Sequence, residues 1–182
     1  MPGVLGNDPG PAVGRLTVRE ARPAEFTAVG ELTAAAYGSL ATGAYRAQLD
    51  AAATRADHAV LLVAELDGRM AGTVTLVLAG GPYAEISAHR ADAAEFRMLA
   101  VDPSARGHGV GECLVRACLD RARAAGLARM MLCTMPEMTS ARRLYSRLGF
   151  VRRPDLDWEP EPGVFLLAHT LPLQDSLPPV TL

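Results

Sequence analysis

The run Arg106-Gly107-His108-Gly109-Val110-Gly111 is the stretch of this chain whose residue types and spacing most directly suggest chemistry. Its glycines alternate, follow a predicted strand and open straight into a predicted helix. At such a junction the first backbone N–H groups have no partner inside the helix, and the helix dipole adds positive potential, so the turn is suited to a phosphate. Gly107, Gly109 and Gly111, lacking side chains, would let a pyrophosphate approach the backbone. A tight turn with no ligand would carry the same glycines. Two nucleotide motifs are excluded. The chain contains no lysine, which a P-loop places on the phosphates, and Glu112 occupies the last position of a G-x-G-x-x-G fingerprint.

The flanking residues narrow the reading. Leu99-Ala100-Val101 closes the preceding strand, and Ala141-Arg142-Arg143-Leu144-Tyr145-Ser146-Arg147-Leu148-Gly149-Phe150 follows further along. In this order the blocks resemble the GNAT superfamily of N-acetyltransferases, whose turn reads R/Q-x-x-G-x-G/A after a strand ending L-x-V and whose later helix reads A-x-x-L-Y-x-x-x-G-F. The close match runs from Glu95 to Phe150, and the predicted elements on either side keep the family's order. The resemblance implies acetyl-CoA as co-substrate and no metal. It also implies that the backbone along Leu99, Ala100 and Val101 bonds the pantetheine arm like an added strand. The amides of Arg106, Gly107, His108, Gly109, Val110 and Gly111 would hold the pyrophosphate. Met138 stands where many members carry Asn, and a thioether cannot make the same hydrogen bond to the cofactor.

Acetyl transfer needs a neutral amine and a leaving thiolate that gains a proton, since a lysine-like amine has a pKa of about 10.4 and a thiol about 8.5. Tyr145 is the candidate general acid, as the family's tyrosine at this position implies. The plainer reading is core, because Ala141, Leu144, Tyr145 and Leu148 form one helical stripe. Glu95 is the candidate base, on the strand where many members place a carboxylate. Strand alternation puts Glu95, Arg97, Leu99 and Val101 on one face, and a simple ion pair with Arg97 is the alternative. His108 is expected to contribute its backbone only. Met130, Met131, Met135 and Met138 read as adaptable core, or as an acyl pocket. Arg142, Arg143, Arg147, Arg152 and Arg153 read as a solvated face that could also meet the ribose 3′-phosphate of CoA. His58, His89 and His169 share no ligand spacing, so no metal site is expected.

These residues need a scaffold to position them. Alternation over Arg15–Glu20 predicts a strand, and Pro23 begins a helix carrying Phe26, Val29, Leu32 and Ala36. A second helix follows Gly43 and ends near His58. The run 59–63 reads as a central strand, joined through Asp67-Gly68 to an antiparallel partner over 69–78. Residues 79–91 show no period and form a loop longer than most, of the kind that is functional or mobile. Strand 93–101, the helix that Gly126 stops, strand 128–134, helix 139–148, a start of strand at Phe150 and strand 164–171 complete the order. The fold class is therefore α/β, a mixed and mostly antiparallel central sheet flanked by helices. Residues 1–14 and 172–182 read as tails around one domain, 15–171.

Composition agrees with a soluble domain of ordinary balance. Of 182 residues 49% are hydrophobic and 21% charged, with a net charge of −2 and every basic residue an arginine. No positive field favours nucleic acid or a membrane surface. The cysteines, Cys113, Cys118 and Cys133, lack paired spacing, so no disulfide framework is expected. No leader or apolar span is visible, and cytoplasm is the expected compartment. The expected partner is an amine-bearing small molecule or protein, with no nucleic acid and no membrane, and a homodimer stays open. The expected activity is N-acetyl transfer to a primary amine by direct attack. The alternative is a non-catalytic acyl-CoA-binding sensor or scaffold, which would keep residues 99–111 and dispense with Glu95 and Tyr145.

Overall fold

Asp67 and Gly68 both take positive φ, 52° and 77°, the backbone that a two-residue hairpin turn requires. They join the second and third strands of a single seven-stranded sheet in the computed structural model, which describes residues 14–41 and 43–173. In chain order the elements are β1 (Leu16–Glu20), α1 (Phe26–Tyr37), α2 (Gly43–Asp50), α3 (Ala52–Ala56), β2 (Val60–Leu66), β3 (Arg69–Leu78), β4 (Ala93–Val101), α4 (Val110–Ala124), β5 (Arg129–Thr134), α5 (Thr139–Arg147), β6 (Val151–Arg152) and β7 (Leu167–Pro172). The sheet order is β1-β2-β3-β4-β5-β7-β6, and only β4 and β5 pair in parallel. This is the mixed, mostly antiparallel α/β architecture expected from the hairpin and crossover signals.

Alternation sorts the strands between two helical layers. In β2, Leu62 and Ala64 join the core beneath α4 and α5, while Leu61 and Val63 pack with Val29 and Ala52 of the α1–α3 layer. The inward stripe of α4 is as predicted, with Val110, Leu114, Cys118 and Leu119 all buried.

Four expectations about boundaries and faces change. The second helical stretch breaks at Ala51 (ψ 58°) into α2 and α3, and the guanidinium of Arg55 takes up the Leu49 carbonyl at 2.9 Å. The last strand begins at Leu167, and before it only Trp158 and Leu166 bridge. The fold also extends past residue 171: Pro172 ends β7, and the buried Leu173 donates its N–H to Ala128 O. Residues 1–13 and 174–182 of the expected tails lie outside the described residues.

The fourth change matters most for function. Arg97 pairs with Thr75 and Ala100 with Thr73, so Met98 and Leu99 together stand opposite Val74 alone. This is a β-bulge, and Met98 holds the left-handed φ of 55° that lets the extra residue fit. An inserted residue reverses the alternation beyond it. Met98 consequently packs with Ala34, Ala41 and Leu49 of the α1–α2 side, whereas Leu99 and Val101 pack with the α4 core. Glu95, Arg97, Leu99 and Val101 do not share one face.

α1 and α2 approach closely at Gly30, where an added Cβ would lie 2.3 Å from the Asp50 carbonyl oxygen. Gly30→Ala should therefore push α2 outward and cost about 1–3 kcal/mol. The check is a urea titration, with a lower midpoint expected at unchanged slope.

Candidate active site

β4 and β5 run side by side for only three residue pairs, Ala93↔Arg129, Ala94↔Met130 and Glu95↔Met131. Beyond them β4 pairs only with β3, through Val101, and β5 only with β7, through Thr134. Two strand edges thus face each other across a gap in the middle of the sheet, each with hydrogen-bonding groups unspent.

One end of this gap leads to the glycine turn. The Asp102 carboxylate fixes the approach by accepting from Ser104 N (2.8 Å) and Ser104 Oγ (2.5 Å). Gly107 and Gly109 then take φ values of 81° and 77°, and neither has another atom within 4 Å of where a Cβ would sit. The first α4 bond is Cys113 N to Gly109 O; among the described residues the amides of Gly107, Gly109, Val110, Gly111 and Glu112 donate to no protein acceptor. Gly111 packs near Val101 and Leu144, which brings the β4 end, the turn and α5 together. The exposed His108 folds its ring back, Nδ1 lying 3.0 Å from Arg106 O and 3.3 Å from Ala105 O. Its imidazole serves the turn, in keeping with a backbone role.

On the α1–α3 side the gap borders a cavity of about 250 Å³. Met98 of β4, Cys133 and Thr134 of β5 and Met138 at the start of α5 contribute to its wall, with Tyr37, Tyr45, Glu85, Arg97, Trp158 and Glu161. The rings of Tyr37 and Tyr45 meet edge to face at 5.9 Å. Burial pushes the Cys133 thiol up to about 12, with the Glu95 and Glu85 carboxylates adding to the shift.

The two proposed catalytic side chains occupy different places. Tyr145 is buried on the α4–α5 side, its ring 5.6 Å from Phe96 and 5.9 Å from Phe150. Burial holds its phenol well above the usual range, so it stays protonated, and it is near enough to Tyr37 to raise that phenol as well. Glu95 is fully enclosed and does not line the cavity. Its Oε2 accepts from Glu85 N (2.9 Å), Ser87 N (3.1 Å) and Ser87 Oγ (2.8 Å), while Oε1 has no partner among the described residues. Nor does Glu95 pair with Arg97, as the simpler alternative had it.

Arg97 instead pairs with Glu85 and donates to Tyr83 O at 3.0 Å. Burial raises the Glu85 carboxyl to about 7, with Arg97 opposing the shift and Glu95 adding to it. Glu85 was not a sequence candidate. The available signal was one: a lone acid within an aperiodic loop of unusual length. On α5 and beyond, Arg147, Arg152 and Arg153 are paired with Glu112, Asp157 and Asp155. Among the described residues no three His, Cys, Asp or Glu side chains stand together as a metal group, and no helix is long and apolar enough to cross a membrane.

Sequence comparison adds an independent finding to this geometry. The model of the Acetyltransferase (GNAT) family matches residues 26–150. The chain belongs to the GNAT acetyltransferase family. A mycothiol acetyltransferase of Cellulomonas flavigena is 36% identical over 108 residues, covering 59% of this chain and 31% of its own length. A mycothiol acetyltransferase of Streptosporangium roseum is 45% identical over 58 residues, 32% of this chain and 17% of that protein. The chain thus spans a third or less of the length of these curated relatives. The fold is shared with YncA of Salmonella typhimurium, solved with its cofactor acetyl-CoA, at a TM-score of 0.64 and 22% identity over 90% of this chain and 97% of that one.

Removing the enclosed carboxylate should release the loop it holds. Glu95→Ala leaves three donors without their acceptor, which should cost about 1–3 kcal/mol and speed hydrogen exchange at the Glu85 and Ser87 amides. Exchange mass spectrometry checks this, with β1 and β2 expected to keep their protection.

Proposed function

We propose that this GNAT domain transfers the acetyl group of acetyl-CoA to a primary amine of a small molecule or protein, by direct attack and without a covalent enzyme intermediate. The observation that carries the reading is the parting of β4 and β5 after Glu95 and Met131, with open amides at one end of the gap and a cavity of mixed polar and apolar lining along one side. The chain's own residues fit the donor. Among the described residues the unpartnered amides of Gly107, Gly109, Val110, Gly111 and Glu112 suit a diphosphate at a helix start, and the free β4 edge over Leu99–Val101 suits an extended pantetheine. Met138 lines the cavity as a thioether, so at that position the wall offers packing rather than a hydrogen bond.

Bound acetyl-CoA supplies an activated thioester carbonyl. Tyr145, held protonated by burial, is suited to give its proton to the departing sulfur. Glu95 acts by holding the 79–91 loop, not as the base. The curated relatives named mycothiol acetyltransferase support acetyl transfer as the chemistry. A cytoplasmic setting and a homodimer are both compatible with this reading.

The first test is thiol release from acetyl-CoA across an amine panel. Amine-dependent release supports transfer, and binding of CoA without release under any amine favours the sensor alternative. Tyr145→Phe should lower kcat by about 10²–10⁴-fold with CoA affinity nearly intact, and an unchanged kcat would remove the acid role. Gly109→Ala forces a side chain into the left-handed region and disturbs the open amides. It should weaken CoA about 10-fold or more by calorimetry, taking about 1.5–3 kcal/mol for a hydrogen bond to a charged group.

A further inference from the structure

The loop between β3 and β4 is folded back onto β4 by specific contacts. Glu95 Oε2 receives the amides of Glu85 and Ser87 and the Ser87 hydroxyl, and Arg97 binds both the Tyr83 carbonyl and the Glu85 carboxylate. Residues 83–87 are thereby held at fixed height over the bulge. The Glu85 side chain keeps 19% of its surface exposed. It opens onto the cavity that Met98 and Cys133 enter from the two parted edges. Of the two carboxylates that meet at β4, only that of Glu85 reaches the cavity.

Other residues of the lining suit a cation. Tyr37, Tyr45 and Trp158 offer aromatic surface, and Glu161 adds a second carboxylate. Ring faces attract an ammonium group, more so where water is thinned.

We infer that Glu85 is the general base of the transfer, taking the proton from an acceptor that enters this cavity as an ammonium ion. The inference rests on the N-acetyltransferase reading and names the chemical form in which the amine binds. The balance is simple. One proton passes from the ammonium nitrogen to the Glu85 carboxylate; the freed lone pair forms the N–C bond as the C–S bond breaks. The second proton lost by nitrogen replaces the one Tyr145 gives to sulfur. Products are the amide, the thiol and one proton that Glu85 returns to solvent.

The groups around Glu85 set its working range. Arg97 and Glu95 face it from β4, Tyr45 from α2, Tyr37 from α1, Cys133 from β5 and Glu161 from the segment before β7, with His58 beside Tyr83 and Arg55 behind Met98. With the carboxyl raised to about 7, Glu85 is protonated and idle below that pH and competent above it. Wild-type kcat/KM should therefore fall as pH drops through about 7.

Glu85→Gln keeps the shape and a hydrogen bond for Arg97 while removing the base. With the panel amine of highest wild-type turnover, the variant should be about 10²–10⁴-fold slower near neutral pH. Its deficit should shrink as pH approaches the amine's own pKa, where no base is needed. CoA affinity should stay within about twofold by calorimetry, in line with a residue that touches only the acceptor. A ¹³C-carboxyl titration with CoA bound should show one signal near neutrality that Glu85→Gln removes. Wild-type turnover with an unmoved variant profile, a loss that is uniform across pH, or a Glu85 carboxyl titrating in the ordinary range would each overturn the base assignment alone. Absence of amine-dependent thiol release in the wild-type protein would overturn the N-acetyltransferase reading and the assignment with it.

Discussion

Backbone hydrogen bonds cannot be left unmade in a protein interior without cost, and this sheet leaves a row of them unmade at its centre. β4 and β5 separate after Glu95 and Met131, although each remains paired on its outer side. A gap of that kind is stable only beside water or a partner that can supply the missing donors and acceptors. An extended, amide-bearing chain such as pantetheine supplies both. The bulge at Met98 sharpens the effect, because it turns Leu99 and Val101 into the α4 core and leaves Met98 and Arg97 on the cavity side. One inserted residue thus separates a face suited to the donor from a face suited to the acceptor.

Charges enclosed near the gap are arranged around the same break. Arg97 and Glu85 satisfy one another at the cavity wall. Arg55 is fully buried and, among the described residues, has neutral acceptors only: Thr75 Oγ1 at 2.7 Å, Leu49 O at 2.9 Å and, more weakly, Thr33 Oγ1 and the Met98 sulfur, each at 3.5 Å. Burial lowers its pKa, as expected where no anion compensates. Its hydrogen bonds tie the end of α2, β3 and the bulge into one unit. A guanidinium can do this because its donors are fixed in a plane and spread over several acceptors.

Much of this was legible in the sequence because the signals were local. Asp67-Gly68 dictated a hairpin, the glycine run 107–111 marked a turn opening into a helix, and the α4 stripe repeated with the helical period. What escaped was non-local. Strict alternation placed Leu99 and Val101 with Glu95, and no residue type near Met98 announces an inserted position; the bulge is visible only in the pairing with Thr73 and Thr75. Glu95 looked like a base because it sits on the right strand, but its Oε2 is engaged by the loop, accepting the amide of Glu85 ten residues away in sequence. Glu85 itself lay in a stretch with no period. Its chemistry depends on Arg97 and on burial, neither of which sequence spacing reveals.

A coenzyme that fills the break between β4 and β5 ends on the glycine turn. The most direct measurement is a titration of ¹⁵N-labelled protein with CoA, following backbone amides by NMR. The amides of residues 107–112 and of the β4 edge over 98–101 should shift together with one saturating affinity and gain protection from exchange, while β1 and β2 stay still. Saturable CoA binding that leaves both stretches unmoved would contradict it.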